Sequence, residues 1–313
     1  MQNYAFIFPG QGSQHAGMGR DLAENFRTAA RTFEEADDAL GFALSRLCYQ
    51  GPEEELKLTA NTQPAILAAS VAALRVLREE SPATPSYLAG HSLGEYSALV
   101  ASGALGFADA LRTVRARGSY MQEAVPVGVG TMAVILGVDP DLLLEICREA
   151  ADGEVVSPAN FNSAGQIVIA GHTGAVNRAI EIAKARGFRK SMLLPVSAPF
   201  HCALMKNAAD RLAVTLESVR VAPLTTPVVT NVEATPNADA ARVKPLLVAQ
   251  VCSPVLWDSS VQNMVAAGVT TFVEIGPGKV LAGLVKRIEK QAVTCNVQDA
   301  SGVKALAGGA SWA

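Results

Sequence analysis

The pentapeptide Gly90-His91-Ser92-Leu93-Gly94 constrains this chain more than any other stretch of it. Residues 86–89 before it read as a short strand, and the run LGEYSALVASGAL behind it reads at once as a helix. A strand that becomes a helix within so few residues needs a sharp bend, and a Cβ at either flanking glycine would clash there. On such a turn a serine stands at the tip of the sheet with its hydroxyl exposed. The helix N-terminus behind Ser92 adds free backbone N–H groups and a positive dipole end, both suited to a developing oxyanion. A serine N-cap in an ordinary connection is the plain alternative. The strand, turn and helix together favour a nucleophile.

Other segments extend the same alternation. Tyr4–Phe8 is an apolar run closed by Pro9-Gly10 and reads as a buried strand. The glycine-rich turn GQGSQHAGMG then leads into a helical pattern from Asp21. Thr62-Gln63-Pro64 opens a long apolar helix that ends around Arg78, with Pro64 suited to its first turn. A further helix covers residues 109–123. After Val125 the order changes to strand (TMAVILGV), helix (DPDLLLEICREA), two strands around a polar bend (GEVVSPANFNSAGQIVIAG), helix (TGAVNRAIEIAKARG) and strand (FRKSMLLPV). That βαββαβ order is the ferredoxin-like split unit. Beyond it HCALMKNAADRLAVTLESV is helical, TPVVTNV and TTFVEIGPG are strands, and KVLAGLVKRIEK closes the main unit as a helix. The tail SGVKALAGGASWA reads as frayed.

The expected architecture is a hydrolase-like α/β core with a doubly wound parallel sheet, residues 1–124 and 198–313. A ferredoxin-like subdomain, residues 125–197, interrupts it once, and the cleft between the two is the expected ligand site. The 313 residues correspond to about two domains. That length can bury such a core without disulfides or a structural metal.

Charge narrows the partners. Lys and Arg number 26 against 29 Asp and Glu, a net charge of −3, so no global basic field exists to hold nucleic acid. Cys48, Cys147, Cys202, Cys252 and Cys295 contain no C-x-x-C pair, which fits a reducing compartment and argues against a zinc site. The start MQNYAFIFPG has no basic region before its apolar stretch, unlike a signal peptide. The longest charge-free span, residues 155–177, contains Pro158, Asn160, Asn162 and Gln166 and is too polar to cross ~30 Å of hydrocarbon. A soluble, cytoplasmic protein is expected, with neither nucleic acid nor membrane as partner.

A serine at its ordinary pKa is a poor nucleophile and needs a base. There are four histidines. His15 lies in the first glycine-rich loop, His172 ends a subdomain strand, and His91 is next to Ser92 with its side chain expected to point away. His201, in VSAPFHC, sits where the chain re-enters the main unit beside the cleft, and is the expected base. Cys202 beside it has no elbow of its own and reads as packing. A serine hydrolase of this fold places an acid between nucleophile and histidine. Asp139, Asp141 and Asp152 all fall inside the subdomain, so a backbone carbonyl is the expected partner that orients His201. Arg117 continues the stripe Ala110, Val114, Met121 on an apolar helical face, where a planar guanidinium suits bidentate binding of a carboxylate.

Five segments follow one another in a distinctive order: Phe8-Pro9-Gly10-Gln11-Gly12-Ser13-Gln14, then Gly90-His91-Ser92-Leu93-Gly94-Glu95-Tyr96, Arg117, Ala198-Pro199-Phe200-His201, and Glu274-Ile275-Gly276-Pro277-Gly278. The chain resembles the malonyl-CoA:acyl carrier protein transacylase family of bacterial fatty-acid synthesis over roughly residues 4–290. It is similar also to the acyltransferase domains of polyketide and animal fatty-acid synthases. The resemblance implies that Ser92 is acylated, with His201 as base. It implies that Gln11 and the backbone N–H of Leu93 stabilise the oxyanion, that the main-chain carbonyl of Gln250 orients the histidine, and that Arg117 takes the free carboxylate of malonate. Leu256 stands where the family often has a basic residue, a change expected to touch a surface contact only. APFH is closer to the malonyl-type than to the methylmalonyl-type motif.

The partners implied are malonyl-CoA and an acyl carrier protein, with no metal or redox cofactor and a monomeric enzyme. An acidic carrier would dock on local basic residues, with Lys184, Arg186, Arg189 and Lys190 as candidates. Asn160, Asn162 and Gln63 either hydrogen-bond in the cleft or shape their turns. EIGPG reads as a strand-to-helix turn rather than a phosphate cradle. A polyketide acyltransferase and a serine thioesterase or esterase are the alternatives.

Overall fold

The structure, a computed structural model, describes residues 3–196 and 198–307. Its centre is strand β1 (Tyr4–Phe8), whose residues 5–8 are all buried. The run is apolar without alternation because both faces are covered, as in a parallel sheet sandwiched by helices. β1 pairs in parallel with β2 (Tyr87–Gly90) on one side and β9 (Thr271–Ile275) on the other. β10 (Val293–Val297) pairs in parallel with β9, and β7 (Val228–Val229) with β2. β8 (Pro236–Asn237) runs antiparallel at the β7 edge, giving the order β10-β9-β1-β2-β7-β8.

A second sheet is antiparallel throughout. It contains β3 (Gly130–Leu136), β4 (Val156–Ser163), β5 (Gln166–His172) and β6 (Ser191–Leu193), in the order β4-β5-β3-β6. Its side chains alternate between two cores, as the pleat requires. Ala133, Ile135, Ile167 and Ile169 pack with Leu143 and Ile146 of the helix Pro140–Ala151 and Val176 and Ile180 of the helix Thr173–Ala185. Met132, Val134, Val168 and Ala170 face the other way and join the main core. β4 is tied to the main unit through Val255. Phe161 N–H donates to its carbonyl at 2.9 Å, and its own N–H donates to Ala159 O at 2.9 Å.

The helix Thr59–Glu80 is buried along most of its length, so it is apolar on nearly every face. It begins three residues before the expected start, which places Pro64 inside it. A proline there removes one N–H and orphans the carbonyl four residues back. Arg115 Nη1 donates to that carbonyl, Ala60 O, at 2.8 Å, and repairs the loss. Arg115 lies on the helix Phe107–Glu123, which crosses Thr59–Glu80 backbone against backbone at Gly118. A Cβ on Gly118 would stand 2.6 Å from Thr59 O and 2.8 Å from Ala60 Cα.

The C-terminal expectation needs correction. The helix Val280–Ile288 does not close the main unit, because β10 and the helix Ala300–Ala307 follow it. The part of the tail read as frayed is thus helical to residue 307, where Asp21 accepts from Ala300 N–H at 2.7 Å; residues 308–313 lie outside the described residues. The strand expected over residues 188–196 is confined to Ser191–Leu193. The helices Ala240–Cys252 and Trp257–Ala266, whose buried residues share core clusters with Val228 and Val229 of β7, had no assignment from sequence. Among the described residues no helix is long and apolar enough to cross a membrane.

Candidate active site

Between the end of β2 and the helix Gly94–Ala101 the chain turns at Ser92, whose φ is +51°. Such a left-handed conformation in a non-glycine residue is strained and persists only where its surroundings enforce it. The turn is tight enough that a Cβ on Gly90 would lie 2.0 Å from Gly94 C, and one on Gly94 would lie 2.1 Å from Phe8 O. Asn231 clamps the bend from the far side. Its Oδ1 accepts from Ser92 N–H at 2.7 Å, and its Nδ2 donates to Gly90 O at 2.7 Å.

Ser92 Oγ lies 2.7 Å from His201 Nε2, and His201 Nδ1 lies 2.8 Å from Gln250 O. A carbonyl can only accept, so Nδ1 carries the proton of the neutral ring and Nε2 is left to accept from the Ser92 hydroxyl. Burial, with the Arg117 charge in second place, lowers the His201 pKa to about 3. The resting imidazole is therefore neutral and has an open lone pair. Asp139 instead caps the helix Pro140–Ala151 by accepting from Asp141 N–H, and Asp152 ends that helix. The orienting contact to His201 is thus a main-chain carbonyl.

Arg117 is 1% exposed. Its Nη1 donates to Gln63 Oε1 at 2.8 Å, and Nη2 to Gln250 Oε1 at 2.9 Å and Ser92 Oγ at 3.1 Å. The guanidinium carbon stands 5.6 Å from the Tyr96 ring centroid, and Nε–H has no partner among the described residues. All its hydrogen-bond partners are neutral. A buried cation without a bonded anion, next to the Ser92 hydroxyl, has the chemistry to pair with a carboxylate brought into the site.

A cavity of about 240 Å³ opens over these groups. Gln11, Leu93, Arg117 and His201 line it with Ser92, and Met132, Val168, Leu194, Val196 and Phe200 give it an apolar wall. Gln11 Nε2 donates to Thr59 Oγ1 at 3.3 Å. Among the described residues no acceptor takes the Leu93 N–H, which leaves it available beside Ser92. Gln250 lies beneath the cavity, completely buried.

The remaining candidates have other engagements. His91 Nε2 pairs with Asn162 Oδ1 at 2.8 Å, and His172 Nδ1 accepts from Val155 N–H at 2.9 Å. His15 contacts Ser13 O. Burial pushes the Cys202 thiol up to about 11 while its Sγ meets Pro199 O at 3.1 Å, so it is no thiolate nucleophile. Gln63 is an Arg117 acceptor, and Asn160 and Asn162 line the cavity. In EIGPG the Glu274 carboxylate accepts from Leu281 and Ala282 N–H, occupying the helix N-terminus that a phosphate would need. Lys184 pairs with Glu181, and Arg186 with Glu145 and Glu149. Leu256 is half-buried, and its N–H donates to Asn231 O. Among the described residues no cluster of three or more His, Cys, Asp or Glu could hold a metal.

Sequence reasoning missed Glu95, Asn231 and the side chain of Gln250, which form a buried polar layer under Ser92. The one available signal was an acidic residue at the first turn of a helix otherwise without charge, Gly94–Ala101.

The acyl transferase domain family matches residues 5–308. A malonyl CoA-acyl carrier protein transacylase of Salmonella typhimurium is 52% identical over 288 residues, covering 92% of this chain and 93% of its own. The crystal structure of an acyl carrier protein S-malonyltransferase from Vibrio cholerae is similar with TM-score 0.95 and 48% identity, over 97% of this chain and 100% of that one. A malonyl-transacylase solved in complex with its holo type II PKS acyl-carrier protein is similar with TM-score 0.96 and 48% identity, over 98% and 99% of the two chains.

Proposed function

The chain belongs to the acyl transferase domain family, and from that premise we propose that it moves malonyl from malonyl-CoA to the phosphopantetheine thiol of an acyl carrier protein, through a malonyl-serine at Ser92. It is an acyltransferase. The observation behind the malonyl reading is the buried Arg117 guanidinium, 3.1 Å from Ser92 Oγ and bonded only to neutral groups.

The reaction has two halves that use one set of groups. Ser92 Oγ attacks the thioester carbon while His201 Nε2 takes its proton. The oxyanion of the tetrahedral intermediate faces Gln11 and the Leu93 N–H, where fixed donors stabilise charge that exists only near the transition state. The C–S bond breaks, and the imidazolium returns its proton to the leaving thiolate of coenzyme A. In the second half the carrier thiol gives its proton to the same nitrogen and attacks the serine ester, and Ser92 leaves as the restored hydroxyl. Gln250 O holds the ring in the tautomer both halves need. Arg117 meets the malonyl carboxylate throughout.

The main unit, residues 1–124 and 198–313, is read as a hydrolase-like doubly wound core. Residues 125–197 are read as an inserted ferredoxin-like subdomain, a reading supported by the β4-β5-β3-β6 order with two helices on one face. In the same reading the enzyme is a cytoplasmic monomer without a resident cofactor. The complex of a similar chain with a type II PKS carrier favours a polyketide carrier as a second recipient.

Intact mass measured after mixing with malonyl-CoA, then after adding holo carrier protein, tests the proposal. Wild type should gain one malonyl group and lose it to the carrier, while Ser92→Ala stays unlabelled. Free malonate released as fast without carrier as with it would replace the transferase reading by a thioesterase. An adduct persisting in Ser92→Ala would remove Ser92 as the nucleophile.

A further inference from the structure

Beneath Ser92 three fully enclosed polar residues meet: Glu95 is 2% exposed, Asn231 1% and Gln250 0%. Two donors converge on a single carboxylate oxygen. Gln250 Nε2 donates to Glu95 Oε2 at 2.7 Å, and Asn231 N–H donates to it at 3.1 Å. Each of those residues then holds part of the reaction site. The Gln250 side chain accepts from Arg117 through Oε1 and donates to Ser92 O at 3.1 Å, and its carbonyl orients His201. The Asn231 side chain clamps both sides of the Ser92 turn.

We propose that Glu95 is a positioning residue for acyl transfer, one buried acceptor oxygen that fixes Gln250 and Asn231 and through them the mutual register of Ser92, His201 and Arg117. The inference rests on the acyl-transfer reading of Ser92 given above. A simpler role would be a counter-charge for Arg117. Two observations weigh against it. The Gln250 amide stands between the two groups, its NH2 on Glu95 and its oxygen on Arg117, so no direct ion pair forms. Burial also raises the Glu95 pKa to about 7, so its charge is only partly present near neutrality, whereas an oxygen accepts hydrogen bonds in either state. Glu95 thereby works by reach and geometry. Arg117 keeps its charge for the substrate.

The test compares Glu95→Gln, Glu95→Asp and Glu95→Ala with wild type in single-turnover loading from malonyl-CoA and from acetyl-CoA. Gln preserves an acceptor oxygen at the same reach without the charge, Asp keeps the charge but withdraws the oxygen by one methylene, and Ala removes it. Glu95→Gln should load malonyl within about fivefold of wild type. Glu95→Asp and Glu95→Ala should load about 100-fold more slowly, the size expected when reacting groups are displaced by about 1 Å. Their malonyl-to-acetyl ratio should fall about tenfold, because Arg117 loses a support that counts for more with the charged acyl group than with the neutral one. The ratio does not depend on the folded fraction, so it stays readable if a variant folds poorly, and the Gln and Asp pair decides the matter if Ala yields no protein. Wild type loading at Ser92 in the same run carries the functional reading separately. Retention by Asp with loss by Gln would make Glu95 a charge and overturn the proposal. An unchanged ratio in Asp and Ala would reduce it to a folding role.

Discussion

Replacing Arg117 by alanine removes a buried cation of the cavity wall that hydrogen-bonds to Ser92 Oγ, and its effect should depend on which acyl group is offered. With malonyl-CoA the substrate carboxylate would enter a largely apolar pocket unpaired. Arg117 is buried, so solvent does not screen the pair, and truncating one partner of a buried charge pair costs about 2–5 kcal/mol. At about 1.4 kcal/mol per tenfold, kcat/KM for malonyl-CoA should fall roughly 30- to 5,000-fold. With acetyl-CoA the loss at the reacting hydroxyl is the 3.1 Å hydrogen bond to Ser92 Oγ, which His201 continues to hold at 2.7 Å. That loss should stay within about tenfold. Gln63 Oε1 and Gln250 Oε1 each lose a donor, but the cavity of about 240 Å³ has room for water to replace it, so the variant should fold. Arg117→Lys should fall between the two, since an ammonium keeps the charge but lacks the planar fork. The assay is kcat/KM for both thioesters with each variant. An equal fall for malonyl and acetyl would make Arg117 structural and remove the physical basis for malonyl selectivity.

His201→Ala should slow Ser92 loading and carrier transfer alike, each by about 10²–10⁴-fold in single-turnover runs; a fall in only one would require a second base. The pKa of His201 is held at about 3 in the folded chain against about 6.5 when unfolded, so the stability it contributes is complete above pH 6.5 and is lost as pH falls toward 3. His201→Gln should therefore gain on wild type in urea unfolding as pH falls from 6.5 to 4.5, by roughly 2 kcal/mol, and a gap that does not change with pH would refute the displaced titration. Gly94→Ala, whose Cβ would stand 2.1 Å from the Phe8 carbonyl oxygen, should lose roughly 3 kcal/mol, and an unshifted urea midpoint would show that the turn is looser than the geometry implies.

What could be read from sequence was local. The elbow, β1 and the helices of residues 125–197 announce themselves through contiguous apolar runs and glycines; Ser92 stands on the elbow and Arg117 on the apolar face of the helix Phe107–Glu123, whereas His201 lies in a turn at φ +61°. The polar layer beneath them was not legible, because its bonds join residues far apart: Glu95 to Asn231 across 136 positions and Gln63 to Arg117 across 54. Pro64 misled for a related reason. A proline rule about helix starts fails once Arg115, from another helix, accepts the task of bonding the orphaned Ala60 carbonyl. The helix Ala300–Ala307 is rich in small residues with little periodic signal, and Asp21 caps its start from 279 positions away.

The backbone crossing at Gly118 has a consequence for redesign. Arg117 is the residue before it, so the guanidinium is indexed to a contact between two main chains, which no repacking of side chains can relax. The apolar wall is different in kind: Met132 and Val168 reach the cavity through side chains alone, from the face of an antiparallel sheet that packs into the main core. Libraries that aim at bulkier or neutral acyl groups should thus keep Gly118, exchange the head group at position 117 in place, and seek volume at 132 and 168. Selection from such libraries should return folded variants changed on the sheet wall, and few changed at the crossing. Substrate range in this scaffold would then evolve on one side of the cleft, against a fixed reference on the other.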